Sequence, residues 1–556
     1  MIRSRLHVTK SMPLAPRGLV AAEHPAGADI GAGILARGGN AVDAAVATAF
    51  AMPVVEPFMS TIAGAGTMLI HDAKRGETVC LDFNGNAPMA AHESIYKIIG
   101  GIATYALFAW PRVEDDANVY GYRSVAVPGS VAGLSLALER YGTMDLRDVV
   151  APAVKLAREG YIADWYQALN TAKYLEELSA FPETARLHLR NGRSVYRPPS
   201  MEPGDRVKNP DLAASMELIG REGPDAFYRG ALAQAIHNDM AANGGWITKD
   251  DLAAYKVRVV APLRARYRDL DLAFSPGATG GATAVEILNI LEEFTPGACG
   301  FTGAPGLHVR AEAVRRAFVD RFEYIGDTEV VGDAFAFLTS KAHARDAARS
   351  IRSGKAPRGA TPTGRKGGVR PADCTTHVSV IDKARNMVAL THTAVSLWGA
   401  RVVVPGTGIL LNNGMIWFDP EPGKANSVAP GKRGMVNMVP ALGFKKGKPY
   451  LALGAPGGRK IIAAIPQVIA NLVDAKGSLQ AAIDAPRLHD EGSGLEIDDR
   501  VGEKVIDALR KKGHEVKRKT ETYASLNFAR PVGVRVTPKG LEAGLDSFGA
   551  AAAAGH

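Results

Sequence analysis

Residues 371–393 read PADCTTHVSVIDKARNMVALTHT, and the fold turns on how this stretch is understood. From Thr376 to Asp382 the side chains alternate as in a strand with two unlike faces, KARN supplies a turn, and MVALTHT returns. A loop of Lys383 to Arg385 sets Asp382 opposite Asn386 and therefore Thr375 opposite Thr393, with one hydroxyl in reach of the other. A threonine hydroxyl becomes a nucleophile only when a base takes its proton. The smallest base is the residue's own α-amino group, set free if the chain is cut between Cys374 and Thr375. Such an amine has a pKa near about 7.7–8.0, suited to base work at neutral pH. Taken alone, the hairpin supports two readings: paired threonines as good strand formers on a half-polar face, or a nucleophile with its support.

The flanks narrow the choice. The chain has 556 residues, 46% hydrophobic and 22% charged, so a substantial core is expected. Its formal charge of +9 is partly local: Arg352, Lys355, Arg358, Arg365, Lys366 and Arg370 crowd a Gly/Pro-rich stretch without an acid. That pattern predicts an accessible loop before the cut, not a nucleic-acid groove. Three cysteines (Cys80, Cys299, Cys374) make no CxxC pair, and the thirteen histidines make no HExxH, so neither a disulfide framework nor a metal is expected. No cofactor motif stands out either: AGAGTML lacks the third glycine of a dinucleotide-binding loop. The start, MIRSRLHVTKSMPLAPRG, has no continuous apolar core, and no run is long enough to span a bilayer. The expectation is a cytoplasmic protein without membrane or nucleic-acid partners.

Upstream, GLVAAEH reads as a strand and AGADIGAGILA as a helix ended by Gly38-Gly39, with a second, small-residue helix from about Ala41. GTMLIHD and TVCLDF read as paired strands; residues 130–350 are mostly helical, and strands return after the basic loop. The final AAAAAGH is expected to fray.

Eight segments taken together go further: ILARGGNAVDAAVA, AVPGSVAGLSLALERYGTMDLRDVVAPAVKLAREGY, EILNILE, AEAVRRAFVDRFEYIGD, CTTHVSVIDKARNMVALTHT, VVVPGTGILLNN, APGKR and GAPGGRKII. Their order and character resemble the γ-glutamyltransferase family, from about residue 18 to 545. The resemblance implies a mixed α/β (α+β) fold, the four-layer αββα sandwich of the N-terminal-nucleophile hydrolases. It also implies a precursor that cuts itself into a large chain, 1–374, and a small chain, 375–556, which stay together as a heterodimer, with a dimer of these heterodimers as the larger assembly it allows. Carried across by motif, Thr375 is the nucleophile and Thr393 its supporting hydroxyl. The backbone N–H groups of Gly457 and Gly458 form the oxyanion hole, where one donor lost typically costs roughly 10²–10³ in rate. His377 carries no assigned chemistry and reads as a packed strand residue.

The departures concern the substrate. Family enzymes grip the γ-glutamyl carboxylate with an Arg after LDF, where this chain has Asn84, and with a Ser pair that here reads Val436-Asn437. The ammonium-binding positions after LLNN are Gly414 and Trp417, and the polar residue two after Thr393 is Val395. An Asn cannot replace the guanidinium fork, and each lost charge-assisted bond forfeits about 1.5–3 kcal/mol. Trp417, Val395 and Val436 therefore predict a more apolar, more open acyl pocket, while Arg401 and Arg459 are candidates to meet an acidic acyl group unless they are surface charges. The leading expectation is a self-processing amidohydrolase acting on a small-molecule acyl amide. A true γ-glutamyltransferase or glutathione hydrolase is the second, and an uncut binding protein the third.

Overall fold

The alternation of Thr376–Ile381 and Met387–Thr393 builds the middle of a seven-stranded sheet. The computed structural model describes residues 10–12, 14–103, 110–295, 303–332, 334–352, 374–525 and 527–556. Of the basic stretch only Arg352 is described; Lys355 to Arg370 and Cys299 lie outside these residues. Thr376 pairs with His392 and Ile381 with Met387, the register expected from a Lys383–Arg385 loop. Asp382 locks the turn: its carboxylate accepts from the backbone of Ala384 and Asn386, at 2.9 and 3.0 Å, and from Ala41 N–H at 3.0 Å.

Across this sheet the strands run Ala552–Gly555, Leu19–Ala22, Thr376–Ile381, Met387–Thr393, Ala65–Asp72, Glu77–Phe83 and Arg258–Val260. A second sheet runs Leu14–Ala15, Gly540–Leu545, Val532–Thr537, Lys448–Gly454, Ala441–Lys445, Leu270–Phe274 and Leu263–Tyr267. Period-two alternation assigns the layers. Leu19, Ala21 and Ala389 face Leu442, Ala452 and Val534 between the sheets. Their neighbours Val20, Ala22, Val388 and Leu390 face outward against helices α1 (Pro25–Ala36) and α2 (Ala41–Val55). Leu451 and Leu453 point the opposite way, into helices α3 (Gly281–Glu292), α4 (Ala304–Tyr324) and α6 (Lys460–Asp474); α5 (Lys341–Arg352) packs beside α3. Helix, sheet, sheet, helix: this is the αββα sandwich of the N-terminal-nucleophile type.

Both sheets are covered on both faces, which is why their strands read as nearly unbroken apolar runs. Helix α2 is buried at all fifteen positions, and its alanines allow close approach to the hairpin strands. A capping box at Asn40 and Asp43 satisfies its first N–H groups.

The C-terminal alanines do not fray. Ala552–Gly555 pairs with Leu19–Ala22 and closes the sheet edge, and the His556 carbonyl accepts from Arg17 and Gly18 N–H. Alanine's weak strand preference favoured the opposite expectation; an available edge overrides it.

Candidate active site

Thr375 and Thr393 meet at the open end of the hairpin. Thr375 is 4% exposed; its Oγ1 donates to the Cys374 carbonyl and lies 3.4 Å from Thr393 Oγ1. The hydroxyl therefore sits against the carbonyl of the bond expected to break. Thr393 Oγ1 accepts from Val395 N–H at 2.8 Å, and Cys374 Sγ donates to the Met59 carbonyl at 3.2 Å. Val395 holds φ +91°, a conformation disfavoured for a β-branched residue, and Trp398 and Arg401 are also at positive φ. The bend after Thr393 is held by Asn413, whose side chain donates to Ser396 Oγ and the Val119 carbonyl and accepts from Ser396 N–H. Asn412 similarly clamps the carbonyls of Ala63 and Ala126.

His377 is a packed strand residue. Its ring contacts Thr391 Oγ1 at 2.9 Å and Ser379 Oγ at 3.1 Å, and burial pushes its pKa down to about 3. A Cβ on Gly454 would lie 2.1 Å from His377 Cε1. Gly454, which makes this approach, ends the strand that leads into Pro456-Gly457-Gly458. Gly457 has φ +132° and Gly458 +54°, both open to glycine without strain. Their carbonyls accept from Lys460 and Ile461, and among the described residues their own N–H groups have no acceptor. Two donors at the start of the fifteen-residue helix α6 suit a developing oxyanion.

The expected substrate positions fall into two environments. Val395, Trp417 and Val436 join Trp110, Ile416 and Met438 in one apolar cluster, and all three are at most 3% exposed. The three side chains form part of a closed apolar cluster in the uncut chain, so the expected openness is not seen at these positions. Asn84 lies elsewhere, on a cleft of about 260 Å³ shared with Asp82, Arg258, Asp327 and Arg433. Its Nδ2 donates to Asp82 Oδ1 at 2.6 Å and its own Oδ1 is buried without a partner. Asn437 is buried and accepts from Arg321 Nη2 at 3.4 Å.

Neither arginine is a surface charge. Arg401 is 1% exposed, donates to the carbonyls of Val119 and Gly399, and lies over the rings of Tyr120 and Tyr174. The surface reading fails because the loop following Thr393 turns this side chain inward, where burial lowers its pKa. Arg459 pairs with Glu491 at 2.8 Å; burial works to raise the Glu491 pKa, but Arg459 and His489 hold it at about 2.

The sequence reading missed Arg321. It is fully buried on α4 and donates to the carbonyls of Thr279 and Val436 at 2.8 and 2.6 Å. No carboxylate among the described residues pairs with it, and burial, then the Arg459 charge, lower its pKa to about 9. Nothing in AEAVRRAFVDRF distinguishes this arginine from its neighbours; only the tertiary contact with Val436 does.

Comparison with known proteins agrees with this architecture. The family model described as gamma-glutamyltranspeptidase matches residues 27–556. The acylase ACY 1 proenzyme of Pseudomonas sp. (strain SE83) is 39% identical over 512 residues, spanning 92% of this chain and 89% of that protein. The glutathione hydrolase proenzyme of Escherichia coli (strain K12) is 36% identical over 516 residues, spanning 90% and 86%. The crystal structure of cephalosporin acylase from Bacillus halodurans superposes with a TM-score of 0.86 at 26% identity, covering 100% of this chain and 98% of that one. The chain belongs to the gamma-glutamyltranspeptidase family, enzymes of the N-terminal-nucleophile amidohydrolase type.

Proposed function

We propose that this enzyme cuts its own chain between Cys374 and Thr375 and then hydrolyses an acyl amide that is not an ordinary γ-glutamyl compound. The observation that carries the reading is Thr375 Oγ1 lying against the Cys374 carbonyl, with Thr393 Oγ1 3.4 Å behind it. In processing, Oγ1 attacks that carbonyl carbon, the Cys374–Thr375 C–N bond breaks, and an ester and a free α-amine form. Water then releases the Cys374 carboxylate. The new amine takes the Thr375 proton in catalysis; the hydroxyl attacks the substrate amide, Gly457 and Gly458 N–H groups hold the oxyanion, and water frees the acyl group. Chains 1–374 and 375–556 remain one heterodimer, with cytoplasmic residence the default.

The altered acyl group is supported by Asn84, Trp417, Val436 and Val395, none of which can bind a γ-glutamyl zwitterion as charged or hydroxyl side chains do. Arg321, which no carboxylate among the described residues pairs with, favours acyl groups ending in a carboxylate. The name of the Pseudomonas acylase is consistent with this direction. A glutathione hydrolase is the second reading, supported by the Escherichia coli relative.

A denaturing gel and intact mass beside Thr375→Ala test the chemistry. Dividing 58.7 kDa by length gives chains of roughly 39 and 19 kDa for wild type, against one uncut variant chain. Glutaryl- and γ-glutamyl-p-nitroanilide then separate the two readings: faster γ-glutamyl turnover, with transfer to a dipeptide, establishes the second. An uncut wild-type chain removes both.

A further inference from the structure

Three helices bring together side chains that the active site does not use. Glu286 on α3, Asp320 on α4 and His343 on α5 present ligand atoms all within 4.8 Å of one another. His343 Nε2 lies 2.8 Å from Asp320 Oδ2 and 3.3 Å from Glu286 Oε1. We propose that Glu286, Asp320 and His343 form a binding site for a divalent transition-metal cation of the zinc class, clamping α5 to α3 and α4.

Geometry, charge and hydrogen bonding carry the proposal. Zinc bound at about 2.0–2.2 Å in a tetrahedron separates its ligand atoms by about 3.3–3.5 Å, so a small outward shift of the 2.8 Å pair accommodates the ion. Imidazole and carboxylates suit such a cation, and water completes the fourth position. The Glu286 side chain is 1% exposed, and its Oε2 is buried with no hydrogen-bond partner.

A proton is the competing occupant. An imidazolium between two carboxylates leaves one net negative charge in this buried place. A proton shared between the Glu286 and Asp320 carboxylates removes that charge, but it leaves Glu286 Oε2 buried without a partner. A dication with neutral imidazole neutralises the set and gives Glu286 a ligand. Arg316 does not substitute for it: this guanidinium donates to Ser350 Oγ at 2.9 Å and lies 3.7 Å from Glu312. Phe337 packs on the His343 ring at 4.6 Å, fixing its orientation as the surroundings of metal-bound histidines commonly do. Helix α5 is the last described element before the Cys374–Thr375 junction, so a clamp here holds that helix to α3 and α4 after cleavage.

The test uses tag-free protein, stripped with chelator and titrated with ZnCl₂ by calorimetry, with Co²⁺ absorption as a second readout. One equivalent of Zn²⁺ binds, and the melting temperature rises by about 2 °C at a hundredfold excess over Kd. Co²⁺ develops ligand-field bands of a site with nitrogen and oxygen donors. His343→Ala, Glu286→Gln and Asp320→Asn each weaken binding at least tenfold; any one that folds suffices, and far-UV dichroism identifies it. Wild type that takes up no stoichiometric Zn²⁺, or folded variants that bind it as wild type does, overturns the assignment.

Discussion

Replacing Thr393 with Val removes one hydroxyl and keeps the shape of a side chain that is 1% exposed. Contacts with Thr375 Oγ1, Val395 N–H, the Cys374 carbonyl at 3.5 Å and Cys374 Sγ at 3.6 Å are lost, and they differ in strength. The contact with Thr375 Oγ1 is long, 3.4 Å, so its loss belongs at the low end of the about 0.5–1.5 kcal/mol typical of a neutral hydrogen bond. That range corresponds to about 2- to 13-fold in rate, so self-cleavage slows by a small factor. The bond from Val395 N–H is short, 2.8 Å, and the donor is buried on a residue already at φ +91°. Orphaning it costs about 1–3 kcal/mol. At about 2.1 cal/mol/K of unfolding entropy per residue over 556 residues, that is a fall in melting temperature of about 1–3 °C. Appearance of the small chain on a gel time course and scanning calorimetry measure the two effects, with Thr393→Ser, which retains the hydroxyl, as control. A Thr393→Val protein that cleaves and melts as wild type does refutes the assignment of Thr393 as support for both groups.

Gly454→Ala would set a methyl 2.1 Å from His377 Cε1, and the resulting overpacking lowers stability by about 1–3 kcal/mol, read in a urea melt; Gly33→Ala, open around its Cβ inside α1, is the control and raises stability by about 0.5–1 kcal/mol. His377, His392 and His188 are buried with pKa values pushed down to about 3, 4 and 4, so between pH 6.5 and 4 the unfolded chain binds protons that the folded chain refuses. Their contribution to stability is present above pH 6.5 and is lost on acidification through that window; His377→Gln makes the measured slope shallower by about one proton. Asn84→Arg combined with Val436→Ser and Asn437→Ser restores a carboxylate grip and raises kcat/KM toward γ-glutamyl-p-nitroanilide by at least about tenfold, from about 1.5–3 kcal/mol per charged bond. No gain would place the loss of γ-glutamyl recognition elsewhere. Arg321→Gln raises KM for glutaryl- over butyryl-p-nitroanilide; an equal effect on both identifies Arg321 as a purely structural residue.

The hairpin register was legible because both of its determinants are local. Turn length and side-chain alternation are properties of about twenty consecutive residues, and the Thr376–His392 pairing follows from them. The start of α2 near Ala41 was readable for the same reason, from the Gly38-Gly39 stop before it and the small-residue run after it. Arg401 illustrates the limit. A single arginine between Ala400 and Val402 looks the same whether it ends in solvent or between Tyr120 and Tyr174, and positive φ at Trp398, Gly399 and Arg401 decides between them. The terminal alanines were misread because their pairing with Leu19–Ala22 is bought by an edge more than 500 residues away in sequence.

The sequence by itself determined the facing of Thr375 and Thr393, through turn length and alternation, while the layer order and the role of the glycine pair came only as what the family resemblance implied. Tertiary structure alone decided that Gly454 approaches His377, two residues from Thr375, at the end of the strand before Pro456-Gly457-Gly458. It alone decided that Arg321 reaches Val436, and that Glu286, Asp320 and His343 converge from three helices. The physical reason is that a motif records the type and spacing of neighbours along the chain. Charge balance, close approach and unmet hydrogen bonds arise only between segments that the chain must fold to bring together.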